Sequence, residues 1–310
     1  MDITLVLTIA VVLVPLVLLL GFAGCVGDDP ALVAAKAKEE EKAKEKEAKA
    51  VEQAAAKYDA KVGKDGNLVG WWRLDEGQPE TGDLTAVDSA TTAPHNGQYK
   101  NLQAVRRGES GAVTVDKNVA VQFLGTNGYI EVPFNALLNP PMSFSAELWL
   151  RPEPQAAAAP AHTVMACCEV NAAGDVIRGY RLQVVYSPKL VLRASVGSGG
   201  AATTLDADLG DGLERGGWRH VVVSYDGAAK QLSIYINADD GKADAVLPTP
   251  ALPAPVGFAA NVTAPLRIGA GFDPGGGPGG YFQGRLDEVA LYRVALTGPT
   301  AREHFLASTA

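Results

Sequence analysis

The sequence predicts a mainly β chain: an antiparallel sandwich or barrel over residues 67–310, preceded by an apolar segment and a charged helical stalk. Three observations carry this. After residue 67, short runs of alternating apolar and polar residues recur between Gly, Pro, Asn and Asp clusters, with almost no helical period. Residues 3–26 are almost wholly apolar, and residues 31–62 are dominated by Ala, Lys and Glu. Of 310 residues, 47 % are hydrophobic and 20 % charged, which excludes a disordered chain, a collagen and a multi-span membrane protein. The net charge of −8 lacks the basic footprint of a nucleic-acid binder, and three cysteines cannot make a disulfide scaffold.

Residues 1–30 form the first part. As a helix, the apolar run would span a ~30 Å hydrocarbon layer at about 1.5 Å per residue. Two readings stay open: an uncleaved transmembrane anchor, or a lipoprotein signal. The second rests on Phe22-Ala23-Gly24-Cys25, which resembles a bacterial lipobox, a family in which the cysteine is lipidated and becomes the mature N-terminus. Cys25 is therefore the candidate lipidation residue. Phe22 stands where Leu is usual, and no Lys or Arg precedes the run. Lys36, Lys38, Lys42 and Lys44 follow it, which under the positive-inside rule would hold the remaining chain in the cytoplasm. The lipobox-like cysteine points outward, and the expectation is a membrane-anchored, extracytoplasmic domain at the cell surface.

Residues 31–66 form the stalk. Glu40→Lys44 and Glu45→Lys49 are i,i+4 pairs in the favourable order, and residues larger than Ala are too sparse for a coiled coil. A single solvated helix of roughly 45 Å is expected, ended by Gly63-Lys64-Asp65-Gly66.

Residues 67–310 carry the strands. The clearest are Leu68–Leu74, Val119–Phe123, Ser143–Arg151, Tyr180–Tyr186, Leu190–Ser195, Trp218–Tyr225, Leu232–Asn237 and Arg285–Tyr292, with a helical turn or two at Pro299–Leu306. Alternation assigns Phe144, Ala146, Leu148 and Leu150 to one face and Glu147, Trp149 and Arg151 to the other. Likewise Arg181 and Gln183 oppose Leu182 and Val184, Arg193 opposes Leu192, and Tyr235 opposes Ile234 and Ile236. If these strands share a sheet, its outer face is rich in Arg, Gln, Trp and Tyr. Such mixtures bind sugars, aromatic rings against C–H faces and planar donors to hydroxyls. Trp149, Arg181, Gln183, Arg193 and Tyr235 are the candidate ligand-binding residues; the alternative is plain solvated sheet.

No catalytic constellation stands out. There is no Glu-x-Asp-x-Glu run along a strand, no Gly-x-Ser-x-Gly elbow and no Gly-Lys-Ser/Thr phosphate loop. The histidines His95, His162, His220 and His304 show no metal-ligand spacing, and His220 reads as structural. Leu205–Asp211 reads as an acidic loop and Gly275–Gly280 as a flexible one. Cys167 and Cys168 read as free thiols facing opposite ways.

Six segments, in order, resemble the laminin-G-like, concanavalin A-like lectin/glucanase jelly rolls: Leu68–Gly77, Ala86–Ser89, Val121–Pro133, Ser143–Pro152, Trp218–Asn237 and Gly284–Arg293. The resemblance implies two packed antiparallel sheets, one convex and one concave, and no single function. It also implies a structural Ca²⁺ near the closing strand. Asp287 would be its ligand, with Asp75, Asp88 and Asn127 as the side chains to test. The expected job is non-catalytic binding of a glycan or surface protein by a membrane-tethered module. A structural or host-contacting component of a virion or surface appendage, able to self-assemble, is the alternative. A glycan-active enzyme with an unrecognised site is the third reading.

Overall fold

The alternation in Phe144–Pro152 and Gln231–Ala238 builds two sheets face to face, because each strand sends every second side chain into a shared interior. The structure, a computed structural model, describes residues 58–309 except 78–83, 91–93, 114–117, 156–159, 188, 211–216 and 239–255, together with Lys38 and Lys42. The chain divides into two units, Met1–Ala48 and Lys49–Ala310. In the first, Lys38 and Lys42 are helical and exposed. The apolar run and Cys25 lie outside the described residues, among which no helix is long and apolar enough to cross a membrane.

In the second unit, helical residues 58–62 (α1) lead into β1 (Leu68–Trp72), β2 (Thr85–Ala86), β3 (Gly97–Lys100), β4 (Val105–Ser110), β5 (Val119–Leu124) and β6 (Tyr129–Val132). There follow β7 (Phe144–Pro152), β8 (His162–Val170), β9 (Val176–Val185), β10 (Val191–Gly197), β11 (Ala202–Asp208), β12 (Arg219–Asp226) and β13 (Gln231–Ala238). The chain closes with β14 (Leu266–Ile268), β15 (Gly271–Phe272), β16 (Pro278–Gly279), β17 (Gln283–Tyr292) and helix α2 (Gly298–Thr309). The first sheet runs β13-β12-β7-β17-β5-β4, with β1 also on β17; the second runs β11-β10-β9-β8-β14-β6-β3-β2; β15 and β16 form a separate ribbon.

The interior is the expected one. Phe144, Ala146, Leu148 and Leu150 meet Leu182, Val184, Leu192, Ile234 and Ile236 between the sheets, all 3 % exposed or less. Cys167 joins this core, whereas Cys168 packs on the other side of β8 with Ala166 and Phe272; both are free and buried.

The sequence pattern did not show a second apolar layer. It covers the outer face of the first sheet: Tyr58, Val62, Trp71, Val222, Tyr292 and Ala301 form one cluster, and Ala120, Trp149, Trp218 and Phe305 another. Tyr58 and Val62 of α1 are 1 % and 0 % exposed, and the bare Cα of Gly63 lets the helix end close on Trp71, since a Cβ there would sit 2.7 Å from the indole. Packing on the first sheet therefore reaches back to Tyr58, ahead of the strands that start after residue 67. Two further elements differ from expectation. Leu205–Asp208 belongs to edge strand β11, held by cross-strand pairing with β10. The glycine-rich segment is drawn into the β15–β16 ribbon, where the Asp273 Oδ1 accepts the N–H groups of Gly275 and Gly277 at 2.9 and 2.8 Å.

Candidate functional site

The two outer faces differ. On the first sheet, Glu147, Trp149 and His220 lie in adjacent register positions and are all 0 % exposed, beneath α2. Glu147 accepts from His220 Nε2 at 2.8 Å and from the Tyr292 hydroxyl at 2.8 Å, and His304 Nδ1 of α2 lies 2.9 Å from its Oε2. Burial alone would raise the Glu147 carboxyl, but the charge of His304 and the hydrogen bonds of both histidines hold it well below the usual carboxylate range. Burial would lower His304; the Glu147 charge outweighs it and raises the imidazole above its ordinary value. This cluster fastens α2 to the sheet, with Glu147 and His220 fully buried and His304 nearly so. Trp149 packs 5.7 Å from the Phe305 ring.

Trp149 and Tyr235 thus belong to the first sheet, and Arg181, Gln183 and Arg193 to the second. The five do not share a face. The reason lies in topology: β7 and β13 flank β12, whereas β9 and β10 pair with each other across the sandwich. Tyr235 lines a small polar hollow with Ser224, Ser233 and Thr297.

On the second sheet the outer face carries a polar plot. Register aligns Thr163, Gln183, Arg193 and Asp206 in one row, and Ala166, Arg181, Ser195 and Thr204 in the next. Arg193 makes a two-pronged contact with Asp206, both bonds 2.8 Å, with each side chain over a third exposed. Gln183 donates to Thr163 Oγ1 at 3.4 Å, and Ser195 and Thr204 hydroxyls lie 3.2 Å apart. Arg181 is half-buried, and its Nη1 donates to the Gly174 carbonyl at 2.9 Å. The β15–β16 ribbon borders this plot. Arg267 props it up, its guanidinium 4.1 Å from the Phe272 centroid and 5.7 Å from that of Tyr129. Tyr281, half-buried beside Thr163, adds an aromatic ring 6.2 Å from Tyr129. Among the described residues no helix packs on this face. Tyr281, Asp206 and Thr204 were missed from sequence because a ribbon and an edge strand read as loops.

The residues considered for calcium scatter. Asp88 is spent on the backbone: its carboxylate accepts the N–H groups of Trp71, Ala90 and His95 at 2.7, 2.9 and 2.7 Å. Asn127 offers its carbonyl to Asn101 at 2.8 Å. Asp75 accepts from Asn118 and Val119 and faces Arg73 at 3.3 Å. The four therefore do not form one ligand set, and among the described residues no three acidic, His or Cys side chains are placed to hold a metal. Asp287 sits in a bulge of β17 beside Glu288, whose φ of 49° turns the strand from β5 to β1. Glu288 takes the Trp71 indole N–H at 2.7 Å and Arg73 at 3.0 Å. Asp287 Oδ2 takes the Ala112 N–H at 2.7 Å, and the Asn118 side chain hydrogen-bonds the same carboxyl group. Burial, then the neighbouring Glu288 charge, pushes the Asp287 carboxyl well up.

Comparison with known proteins agrees with this architecture. No curated protein matches the chain. The binding domain of botulinum neurotoxin serotype D superposes with a TM-score of 0.51 at 9 % identity, over 78 % of this chain and 52 % of that one. Domain 4 of AbnA, an extracellular arabinanase from Geobacillus stearothermophilus solved with arabinotriose, gives 0.47 at 18 % identity, over 77 % of this chain and 98 % of that one. A structure of botulinum neurotoxin type C, described as depending on two ganglioside molecules for cell entry, gives 0.49 at 13 % identity over 78 % of this chain; the chain spans about half of that toxin structure. The Laminin_G_3 family model matches residues 124–301, more than half of the sequence, and the chain belongs to that family, within the concanavalin A-like lectin/glucanase superfamily.

Proposed function

We propose that this protein is a non-catalytic glycan-binding module whose ligand lies on the outer face of the second sheet. One observation carries the reading. α1 and α2 cover the first sheet's outer face around Trp149 and Tyr292 and leave beyond them the row Arg106, Gln122, Arg285 and Arg151, where Glu153 pairs with Gln122 and Glu109 with Arg285. The second sheet's outer face, with no helix packed on it among the described residues, keeps polar side chains at half-buried or exposed positions (Arg181, Gln183, Arg193, Thr204, Asp206) beside the Tyr281 ring. Rigid aromatic and guanidinium surfaces suit the C–H faces and hydroxyls of a sugar, and side chains already held by neighbours lose little entropy on binding. The clustered carboxylates Glu147, Asp287 and Glu288 are 0 % exposed, a placement that supports binding rather than hydrolysis.

The membrane tether through residues 1–30, by span or by lipid on Cys25, and display outside the cell are part of the same proposal, supported by the apolar run and the lipobox-like tetrapeptide. A structural Ca²⁺ at Asp287, with Asp75 near enough to feel its charge, is proposed on the family resemblance and on the buried carboxyl groups of Asp287 and Glu288 gathered at the closing strand, oxygens of the kind a hard cation takes. A glycan array on residues 49–310, followed by titration of the hits, tests the central reading. Arg193→Ala and Gln183→Ala should each weaken binding at least about tenfold, as for a lost hydrogen bond to a charged or planar donor. Binding that survives both substitutions would sink the face assignment.

A further inference from the structure

One row of the first sheet lies beyond the cover of the helices. Register sets Arg106 of β4 opposite Gln122 of β5, Gln122 opposite Arg285 of β17, and Arg285 opposite Arg151 of β7. Residues opposite one another on neighbouring strands share a face, so these four side chains stand side by side. Two residues back along β5 and β7, Ala120 and Trp149 join Trp218 and Phe305 in the apolar cluster under α2. The row borders that cluster. Arg106 is exposed, and Arg151 and Arg285 are half-buried. Strands stand about 4.8 Å apart, so the row spans roughly 14 Å.

Like charges directly opposite one another destabilise a sheet. Arg285 and Arg151 are such a pair. Glu109 answers the first, its Oε2 lying 2.7 Å from Arg285 Nη2. Glu153 is engaged by amides: Gln122 donates to its Oε1, and Gln283 to its Oε2 at 3.1 Å. Among the described residues neither Arg106 nor Arg151 forms a salt bridge. Burial lowers the Arg151 guanidinium, and the Arg285 charge lowers it further, ahead of the opposing pull of Glu153 and Glu109. A chain of net charge −8 thus lines up Arg106, Arg285 and Arg151 with an unfavourable contact left in place. An anion lying over the row would relieve it.

The carboxylates set among the arginines narrow the choice of anion. Glu109 and Glu153 repel a ligand of dense negative charge, as does the net charge of the chain. A carboxylate has about four lone-pair sites, so each can still accept from a hydroxyl. Guanidinium forks match oxyanions with two parallel bonds. The complementary ligand therefore carries spaced anionic groups and hydroxyl donors together. We propose that the Arg106–Gln122–Arg285–Arg151 row binds an acidic glycan, its sulfate or carboxylate groups on the arginines and its hydroxyls on Glu109 and Glu153. This site lies on the opposite sheet from the glycan face proposed above and does not depend on it.

The test uses residues 49–310, a separate compact unit with its own core. The probes are dextran sulfate and polygalacturonate, titrated at low salt beside neutral dextran and poly-glutamate. At least one acidic glycan should bind at least about tenfold tighter than both controls, and the one that binds names the anionic group. Arg106→Gln and Arg151→Gln should each weaken that binding at least about tenfold, as for a lost charge-assisted hydrogen bond. Arg151→Gln should hold or raise the melting temperature, because it eases the contact with Arg285. Arg193→Ala, on the other sheet, should leave the acidic-glycan affinity unchanged. Failure of both acidic glycans to bind, binding that the double arginine variant retains, or poly-glutamate bound as tightly as the glycans would overturn the proposal.

Discussion

Truncating Tyr58 to alanine should destabilise the domain although the residue lies in a segment whose composition reads as stalk. Tyr58 is 1 % exposed and packs with Val62, Trp71 and Tyr292 on the outer face of the first sheet. Loss of a buried aromatic side chain costs about 3–5 kcal/mol, transfer and cavity terms together. For a domain of this size each kcal/mol moves the melting temperature by roughly 2–4 °C, so the midpoint should fall by about 6–20 °C. Val62→Ala, removing two buried methyl-sized groups, should fall by less, about 1.5 kcal/mol plus a cavity term. The assay is thermal and urea unfolding of residues 49–310. Lys61→Ala serves as control: its contact with Glu303 is 2.8 Å long but both side chains are at least half exposed, and the midpoint should not move. A Tyr58→Ala protein that melts with the wild type would refute the reasoning, because α1 would then be an appendage and the sandwich would start at residue 67.

Three further outcomes are expected. Trp149→Ala should destabilise by about 3–5 kcal/mol while leaving glycan affinity unchanged, since the indole is buried under α2; a loss of affinity at unchanged stability would return it to the ligand face. His304, raised in the folded state, contributes stability that is complete below about pH 6.5 and is lost as pH rises through its folded value. Glu147, depressed, contributes above about pH 4.3 and loses it as pH falls through its own folded value. Amide exchange in α2 should therefore quicken from about pH 6 to pH 9 after correction for intrinsic rates, and His304→Gln should remove that dependence; a flat corrected profile in the wild type would contradict the sign. Millimolar Ca²⁺ should raise the melting temperature of chelator-treated protein by several degrees, as about 2.7 kcal/mol at a hundredfold excess over Kd implies, and Asp287→Asn should blunt the rise. Equal melting in Ca²⁺ and in chelator would remove the metal from the account.

Much of the fold was readable because one sheet face is buried and the other is not. Phe144, Ala146, Leu148 and Leu150 alternate, and they fill the core as alternation requires. The second layer was missed where the pattern stops alternating. Val221-Val222-Val223 and Val289-Ala290-Leu291-Tyr292 are continuous apolar runs, the mark of strands covered on both sides, and Val222, Ala290 and Tyr292 point at the helices. Reading those runs as double burial would have placed Trp149 under a cover. The shared ligand face failed for another reason: which strands become neighbours is a matter of chain crossovers, and side-chain periodicity carries no record of it. Asp206 was taken for a loop residue because Gly and Ala surround it; its strand is fixed by seven register pairs with β10, its hairpin partner across the Ser198–Ala201 turn, and Leu205 and Ala207 are the alternate residues that turn to the core. Cys167 and Cys168 came out as read, since adjacent residues of a strand face opposite ways.

The central claim is that the open face of the second sheet holds the ligand, and hydrogen exchange with and without a bound glycan tests it most directly. The account requires slowed exchange in β9, β10 and residues 272–281, with α2 and β13 unchanged. Protection confined to α2 or to the Tyr235 hollow would place the ligand on the opposite side of the molecule and contradict it.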